Sequence, residues 1–401
     1  MSTLKRTLHG AVTGFTGALS KLLPDRVPVT FVGPEAAGEL CEAIAQTGVG
    51  KVLLVTDAVL VELGLVNRIT AALDAAGLSY SIYAGVEPDP TTDQVEAGLA
   101  QLTREGCDAV LGLGGGSPMD AAKVIAAAAA NGADVGKLEG MFKVRRPPLP
   151  LFAIPTTAGT GSEGTVVAVV SDPESHAKKF FADPKLLPSM AALDPTLMTG
   201  LPPHITAATG MDALTHAVES IIARTAKAQT EAWAKTAVRL IFANLPTAVA
   251  NGESLPARKA MALASFYAGL AFTRTSVGYV HAIAHTFGAF YGTPHGLANA
   301  IALPRVLEFS LESAAPRLAQ LADLLELEGA DETAKARAFV AAVRELMEKV
   351  GIPATLDALR VEDVPGIARQ AVAEAHLNYP VPRYMSQTEC EGLLRQMLAS
   401  D

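Results

Sequence analysis

Three of the chain's eight histidines lie in one apolar, glycine-punctuated segment, residues 281–296. His281 and His285 are four residues apart, so they share a face if this segment is helical. His295 follows Pro294, where the chain is expected to turn. Burying imidazoles in apolar surroundings is costly unless something binds them. The segment therefore predicts a ligand site, and a divalent metal is the obvious ligand.

A second segment, GMDALTHA at residues 210–217, places Asp212 and His216 at the same four-residue spacing. The predicted metal ligands are Asp212, His216, His281 and His295. One carboxylate with three imidazoles suits Fe(II) or Zn(II), and such ligands do not choose sharply between the two ions. The site would keep a net charge of about +1, which stabilises an alkoxide and polarises a carbonyl. The expected chemistry is that of a Lewis acid.

The segment GLGGGSPMDAAK, residues 112–123, follows a predicted strand and opens a predicted helix. Ser117 is expected to be the N-cap, with Pro118 at the first helical position and Asp120 completing a Ser-x-x-Asp box. Gly115 and Gly116 let a ligand approach the backbone, and a helix N-terminus attracts phosphate. The segment predicts a phosphate site, although its spacing is not GxGxxG. The alternative is a tight strand-to-helix turn without a ligand.

A second loop, PTTAGTGSE at residues 155–163, also follows a predicted strand. Its hydroxyls, which include those of Thr156, Thr157 and Thr160, can wrap a pyrophosphate or a ribose, or satisfy their own turn. Asp57 comes at the end of another predicted strand, where a carboxylate accepts from a ribose hydroxyl and repels a 2′-phosphate. This position favours NAD over NADP. The alternative for Asp57 is a cap on the next helix.

Positioning these loops requires alternating strands and helices, and the first half of the sequence has that pattern. The predicted strands are 29–32, 51–56, 80–84, 109–113 and 149–154. The predicted helices include 65–76, 92–105 and 118–131. Strands that are buried on both faces and alternate with helices form a parallel sheet.

The proline pair at residues 202 and 203 marks a change, because the sequence beyond it is rich in Ala and Leu at helical spacing. We predict an α/β plus all-α fold in three parts. Residues 1–27 are an N-terminal extension, 28–202 a Rossmann-like dinucleotide-binding domain with a parallel sheet, and 203–401 an all-helical metal-binding and catalytic domain. The basic bias of the extension is faintly like a transit peptide, but a helix packed on the fold surface is the favoured interpretation.

Charge and composition exclude several classes of partner. The net charge of −9 argues against nucleic acid or an anionic membrane. No apolar run reaches the roughly 20 residues needed to span a bilayer. The three scattered cysteines indicate reduced thiols and hence a cytoplasmic protein.

Together the segments resemble the iron-containing (group III) alcohol dehydrogenase family. The resemblance rests on GGGSxxDxxK at 114–123, PTTAGTGSE at 155–163, GMDALTHA at 210–217 and HxxxH…PHG at 281–296. It implies an active site in a cleft between a dinucleotide-binding domain and a helical domain. It also implies NAD and Fe(II) as cofactors, hydride transfer between primary alcohols and aldehydes, and a homodimer or larger homo-oligomer.

The resemblance also assigns residue roles by position. His285 is implied to be a histidine that does not bind the metal but relays a proton. Phe272 is implied to line the substrate pocket, and Lys178 to lie near the cofactor ribose. The implied cofactor contacts include Gly116, Ser117, Thr156, Thr157 and Thr160, with Asp57 selecting NAD.

Three alternatives remain at this point. If Arg274, two residues after Phe272, points into the cleft, the substrate would carry a carboxylate, as in a 4-hydroxybutyrate dehydrogenase or a transhydrogenase. If Arg274 points outward, it is a solvated or interface arginine, which is the favoured interpretation. A lyase of the dehydroquinate-synthase type is disfavoured by the motifs at 210–217 and 293–296. Nothing in the sequence favours a binding protein without catalysis.

Overall fold

A computed structural model describes residues 26–132, 134–174 and 177–399. The described chain forms two compact units. One contains residues 26–200 with Glu253–Gly269, and the other contains Leu201–Gly252 with residues 270–399. The predicted domain division at residue 202 stays a prediction, and these units differ from it in the placement of Glu253–Gly269. The predicted extension lies outside the described residues except for its last two positions.

In the part of the first unit that the structure describes, nine strands form two sheets. They are β1 (Val29–Val32), β2 (Lys51–Val55), β3 (Ser79–Tyr83), β4 (Ala109–Gly114), β5 (Gly140–Met141), β6 (Leu151–Pro155), β7 (Val167–Ser171), β8 (Lys178–Ala182) and β9 (Met190–Leu193). The larger sheet has the order β1-β9-β6-β4-β2-β3, and all its pairings are parallel. The predicted parallel sheet is confirmed.

The strand order reverses between β2 and β4, so the segments that follow these two strands meet at one carboxyl edge of the sheet. Alternation along β2 shows that both faces are buried. Leu53 and Val55 belong to one apolar cluster, and Val52 and Leu54 belong to another. This explains why the strands are continuous apolar runs in the sequence.

Among the described residues before 200, five helices cover the larger sheet: α1 (Ala36–Ala45), α2 (Ala58–Glu62), α3 (Leu65–Ala75), α4 (Thr92–Glu105) and α5 (Gly116–Asn131). The first three contribute to one of the two clusters, and α4 and α5 contribute to the other. A capping box between Thr91 and Gln94 starts α4, and Gly106 ends it in the left-handed conformation.

The smaller sheet, of order β5-β8-β7, is not predicted from the sequence. Strand β8 pairs antiparallel with β7 and parallel with β5. The sequence of β8, KKFFA, lacks alternation of polar and apolar residues, and β5 has only two residues, which is shorter than a typical strand.

Beyond residue 202 the structure has eight helices among the described residues. They are α6 (Pro203–Ile222), α7 (Ala228–Ala250), α8 (Leu255–Thr275), α9 (Tyr279–Tyr291), α10 (His295–Leu324), α11 (Glu332–Lys349), α12 (Val364–Asn378) and α13 (Gln387–Arg395). The predicted helical character of this half is confirmed. None of the described helices is both long enough and apolar enough to cross a membrane.

Candidate metal centre and cofactor loops

Helix α6 presents a carboxylate and an imidazole on one buried face. It is buried from Gly210 to Ile222, and the exposed fractions of Asp212 and His216 are 3% and 5%. Residues four apart on a helix point the same way, so the two side chains lie together. Asn299 of α10 donates from Nδ2 to Asp212 Oδ1 at 2.7 Å, which holds the carboxylate in place.

Helix α9 presents His281, whose ring is fixed by a buried carboxylate. His281 Nδ1 lies 2.7 Å from Glu219 Oε2. The same carboxylate accepts the amides of Gly278 at 2.7 Å and Val280 at 2.8 Å, so it acts as an acceptor and Nδ1–H is the donor. The lone pair is then on Nε2, which is buried and makes no hydrogen bond to any described residue. That nitrogen lies 4.0 Å from Asp212 Oδ1.

The close packing around Glu219 depends on a glycine. A Cβ added at Gly278 would lie 2.7 Å from Glu219 Oε1, so a side chain there would displace the carboxylate. Burial raises the pKa of Glu219 to about 8, and its hydrogen bonds to the amides of Gly278 and Val280 oppose that rise. Burial and then the neighbouring imidazoles hold the pKa of His281 well below its usual value. A lowered pKa favours the neutral imidazole, which is the form that binds a metal.

All four predicted ligands are brought together. The ligand atoms of Asp212, His216 and His281 lie within 4.8 Å of one another. His295, the first residue of α10, places Nε2 3.6 Å from Asp212 Oδ1, and its side chain is 43% exposed. One oxygen and three nitrogens, among them the buried Nε2 of His281 that makes no hydrogen bond to a described residue, fit a divalent transition metal. One ligand is fixed by a carboxylate on its other ring nitrogen, as in many metalloenzymes.

Two more predicted residues contact this cluster. The ring of Phe272 stacks on His216, with 4.1 Å between ring centroids and 13° between planes. The ring of His285 stacks on His295 at 5.4 Å and 18°. His285 Nδ1 lies 2.7 Å from Glu374 Oε1, so this imidazole has its own carboxylate partner.

In the first unit, the glycine-rich loop after β4 and the threonine-rich loop after β6 are adjacent. The amide of Thr156 donates to the carbonyl of Gly114 at 2.9 Å. A Cβ at Gly116 would lie 2.9 Å from Thr160 Cγ2, so the absence of a side chain permits the close approach. The residues of these two loops that were predicted to bind cofactor are Gly115, Gly116, Ser117, Thr156, Thr157 and Thr160.

The predicted cap of α5 at Ser117 is wrong. The helix begins at Gly116, and Gly115 is its N-cap, without a side-chain hydrogen bond. Asp120 does not complete a capping box, because its Oδ1 accepts from Ser162 Oγ at 2.7 Å and its Oδ2 from the amide of Val169 at 2.9 Å. The helix therefore starts two residues closer to the strand than predicted, and no side chain caps its first amides.

Lys123 is fully buried and joins α5 to the segment after the threonine-rich loop. Its Nζ donates to Ser162 Oγ at 2.7 Å, to Thr165 Oγ1 at 2.8 Å and to the carbonyl of Val167 at 2.8 Å. Asp120 Oδ1 lies 3.8 Å away. Burial lowers the pKa of Lys123 to about 8, against the opposing charges of Asp120 and Glu163. This network holds α5 to residues 162–167.

Asp57 caps a helix, which is the alternative considered for it. It is the N-cap of α2, and its Oδ1 accepts the amide of Leu60 at 2.9 Å. The residue also lies where β2 ends, at the edge next to β4. The cap uses one carboxylate oxygen, so it is compatible with a ribose contact through the other, and that contact stays a prediction.

Comparison with known proteins decides the family. The family model described as "Iron-containing alcohol dehydrogenase" matches residues 28–195, and "Fe-containing alcohol dehydrogenase family, C-terminal" matches residues 206–398. The chain belongs to the iron-containing alcohol dehydrogenase family. It is accordingly an enzyme, an oxidoreductase of alcohols and aldehydes, as predicted from the sequence.

Similar members of this alcohol dehydrogenase family cover nearly the whole chain. Lactaldehyde reductase of Escherichia coli (strain K12) is 40% identical over 348 residues, covering 85% of this chain and 91% of that protein. 1,3-Propanediol dehydrogenase of Klebsiella pneumoniae is 40% identical over 374 residues, covering 92% and 96%. A crystal structure of a 1,3-propanediol oxidoreductase superposes with a TM-score of 0.90 at 40% identity, covering 92% and 98%.

Two further predicted residues of this alcohol dehydrogenase have partners of their own. Lys178 Nζ lies 2.5 Å from Asp89 Oδ1 on the protein surface, and its predicted contact with ribose stays a prediction. The guanidinium of Arg274 lies over the ring of Trp233, with 4.8 Å from Cζ to the centroid, and its Nη1 donates to the carbonyl of Leu270 at 2.9 Å. These contacts hold Arg274 against α7 and its own helix.

Three residues of the alcohol dehydrogenase site were missed in the sequence. Glu219 lies three residues after His216, so helical spacing alone places it on the same side of α6. Asn299 lies four residues after His295 and was detectable in the same way. Glu374 belongs to a distant helix and no sequence motif marks it.

Proposed function

We propose that this enzyme is an NAD-linked, Fe(II)-dependent dehydrogenase of short primary alcohols that also reduces the corresponding aldehydes. The metal ligands are Asp212, His216, His281 and His295. The observation that carries the metal assignment is the buried Nε2 of His281, which has no hydrogen-bond partner among described residues and lies 4.0 Å from Asp212 Oδ1. Zn(II) suits the same donors, so the ion is decided by experiment.

In this proposal the net reaction moves a hydride from the carbinol carbon to NAD⁺ and releases the hydroxyl proton, which gives an aldehyde and NADH. The bound metal supplies Lewis-acid chemistry toward the substrate oxygen. Glu219 keeps His281 in the tautomer whose Nε2 is a ligand, and Asn299 orients Asp212. His285 accepts the released proton and passes it to solvent.

The proposed cofactor residues lie in the glycine-rich loop after β4 and the threonine-rich loop after β6, which are adjacent in the structure. Backbone amides at the start of α5 and the hydroxyls of the threonine-rich loop bind the pyrophosphate and ribose. The residues are Gly115, Gly116, Ser117, Thr156, Thr157 and Thr160, with Lys178 near the ribose and Asp57 selecting NAD. The start of α5 has no side-chain cap that a phosphate would need to displace.

Relatives support a short substrate. Those named above, together with a methanol dehydrogenase of Bacillus methanolicus that is 39% identical, are named for substrates of one to three carbons. Phe272, stacked on His216, would provide an apolar wall for such a substrate. A carboxylated substrate is not favoured, because Arg274 is engaged by Trp233 and Leu270. A homodimer or larger homo-oligomer and a cytoplasmic location remain predictions.

The proposal predicts that turnover depends on a metal. After chelation the protein is expected to lose NADH-linked activity on methanol, 1,3-propanediol and lactaldehyde, and Fe(II) should restore more of it than Zn(II). Spectrophotometric assays at 340 nm with metal analysis on the same samples test this. Full activity in a protein shown to be free of metal would overturn the proposal.

The proposal also predicts a change of cofactor in Asp57→Asn. Asparagine is as good an N-cap as aspartate, so the cap on α2 survives while the negative charge is lost. The NAD-to-NADP ratio of kcat/KM is expected to fall by at least about tenfold, or about 1.4 kcal/mol. Asp93→Asn, which removes an exposed charge from the first turn of α4, is the control. Equal ratios in both variants would remove Asp57 from the cofactor site.

A further inference from the structure

His285 is one member of a hydrogen-bonded chain that also contains Glu374 and Tyr379. His285 Nδ1 lies 2.7 Å from Glu374 Oε1, and the hydroxyl of Tyr379 donates to the same oxygen at 2.5 Å. The side chains of His285 and Glu374 are each 26% exposed, whereas Tyr379 is buried. A carboxylate oxygen with two partners is a well-defined anchor for the imidazole.

The hydroxyl of Tyr379 shows which groups donate and which accept in these hydrogen bonds. Burial and then the charge of Glu374 raise the pKa of Tyr379 well above its usual value, so the hydroxyl keeps its proton and donates. Glu374 Oε1 is therefore an acceptor, and the partner at His285 Nδ1 is an N–H. In a neutral imidazole only one nitrogen carries the proton, so Nε2 of His285 has the lone pair.

The ring of His285 also lies against two of the proposed metal ligands. It stacks on His295 at 5.4 Å and meets His281 edge-on at 6.1 Å between centroids. A ring held in this way by neighbours on one side and by a carboxylate on Nδ1 has one nitrogen left for proton transfer. The arrangement parallels a triad, in which a carboxylate fixes the tautomer of a histidine that takes a proton.

We propose that Glu374, supported by Tyr379, is a positioning residue that holds His285 in the Nδ1–H tautomer so that Nε2 accepts the proton released by the substrate hydroxyl. Glu374 does not touch substrate, and it acts only through His285. The inference rests on the proposed function, specifically on the proton route through His285. His285→Ala tests that proton route by itself.

The first experiment measures kcat for alcohol oxidation in single and double variants. His285→Ala and Glu374→Leu are each expected to lower kcat by about ten- to a hundredfold, with little change in KM. In the His285→Ala background, Glu374→Leu is expected to cost less than about twofold more, because the two residues act as one unit. Glu374→Gln keeps an acceptor for Nδ1–H and should recover most of the loss.

The second experiment has a readout that does not require activity. ¹⁵N NMR of the histidines in metal-free protein, with the His285 signals identified by their loss in His285→Ala, reports which ring nitrogen carries the proton. Wild type is expected to show Nδ1–H, and Glu374→Leu to show a mixture of tautomers. Gln370→Leu, at an exposed position on α12, is the control and should match wild type.

The outcomes separate the two proposals. If His285→Ala keeps the wild-type kcat, the proton route of the proposed function fails, and this inference fails with it. If His285→Ala is impaired but Glu374→Leu is not, only the inference is overturned. An equal loss from Glu374→Leu in both backgrounds, or an Nε2–H tautomer in wild type, would show that Glu374 is merely structural.

Discussion

Replacing His281 with alanine is expected to leave the enzyme without stably bound metal and to lower kcat by about a thousandfold or more. Loss of a Lewis acid removes several kcal/mol of transition-state stabilisation, and each 1.4 kcal/mol is about tenfold in rate. The effect should be large because His281 is 3% exposed and its Nε2 has no competing hydrogen bond among the described residues, so the proposed role of this nitrogen is to bind the metal. Metal content measured by mass spectrometry and kcat measured with excess Fe(II) test the two losses separately.

A milder variant, which leaves His281 in place and changes only its hydrogen-bond partner, tests the same metal centre. Glu219→Gln keeps the volume but puts an NH2 group in place of one of the two oxygens that accept from His281 Nδ1–H and from the amides of Gly278 and Val280, so metal affinity is expected to fall about ten- to a hundredfold, with kcat recovered at high Fe(II). His204→Ala removes an exposed histidine from the same helix as His216 and should bind metal as wild type does. A His281→Ala protein with the wild-type amount of metal and normal turnover would remove this histidine from the metal centre.

The parts of the site that could be predicted are those encoded by spacing on one helix. Asp212 and His216 share a face of α6 because they are four residues apart, and the same spacing rule extends to Glu219, three residues after His216. The central sheet was predictable because strands such as β4 are buried throughout and stand out as apolar runs. Helical spacing thus predicts the ligand pair on α6, and continuous apolar runs predict the central sheet.

The parts that could not be predicted depend on contacts between distant residues. Glu374 reaches His285 from a helix 89 positions further along, and no local pattern announces such a pair. The cap at Ser117 was wrong because capping rules give the residue types but not the turn at which the helix starts, and Gly115 takes that place in the structure. Local sequence patterns do not predict contacts between residues that are distant in the chain and adjacent only in the folded protein.

The hydrogen-bond partners of Lys123 could not be predicted from the sequence. Replacing this lysine is expected to cause the largest decrease in the free energy of unfolding. Lys123→Met removes the three hydrogen bonds to residues 162–167 and leaves the carboxylate of Asp120, whose side chain is 16% exposed, without its cation. Breaking a buried ion pair from one side costs about 3–5 kcal/mol, because the remaining charge is uncompensated. Urea unfolding of the metal-free protein, followed by circular dichroism, should show a clearly lower midpoint.

Two further variants show whether the loss of stability in Lys123→Met comes from the buried ammonium group. Thr165→Val removes one acceptor of Lys123 and is expected to cost only about 1 kcal/mol, because the cation keeps its other partners. Lys137→Met, at an exposed position, should stay within about 0.5 kcal/mol of wild type. If Lys123→Met behaves like Lys137→Met, the buried ammonium is dispensable. If it unfolds early as expected, Lys123 makes a major contribution to the attachment of α5 to the segment 162–167, beside the hydrogen bonds of Asp120 to Ser162 and Val169, and the KM for NAD should rise in the same variant.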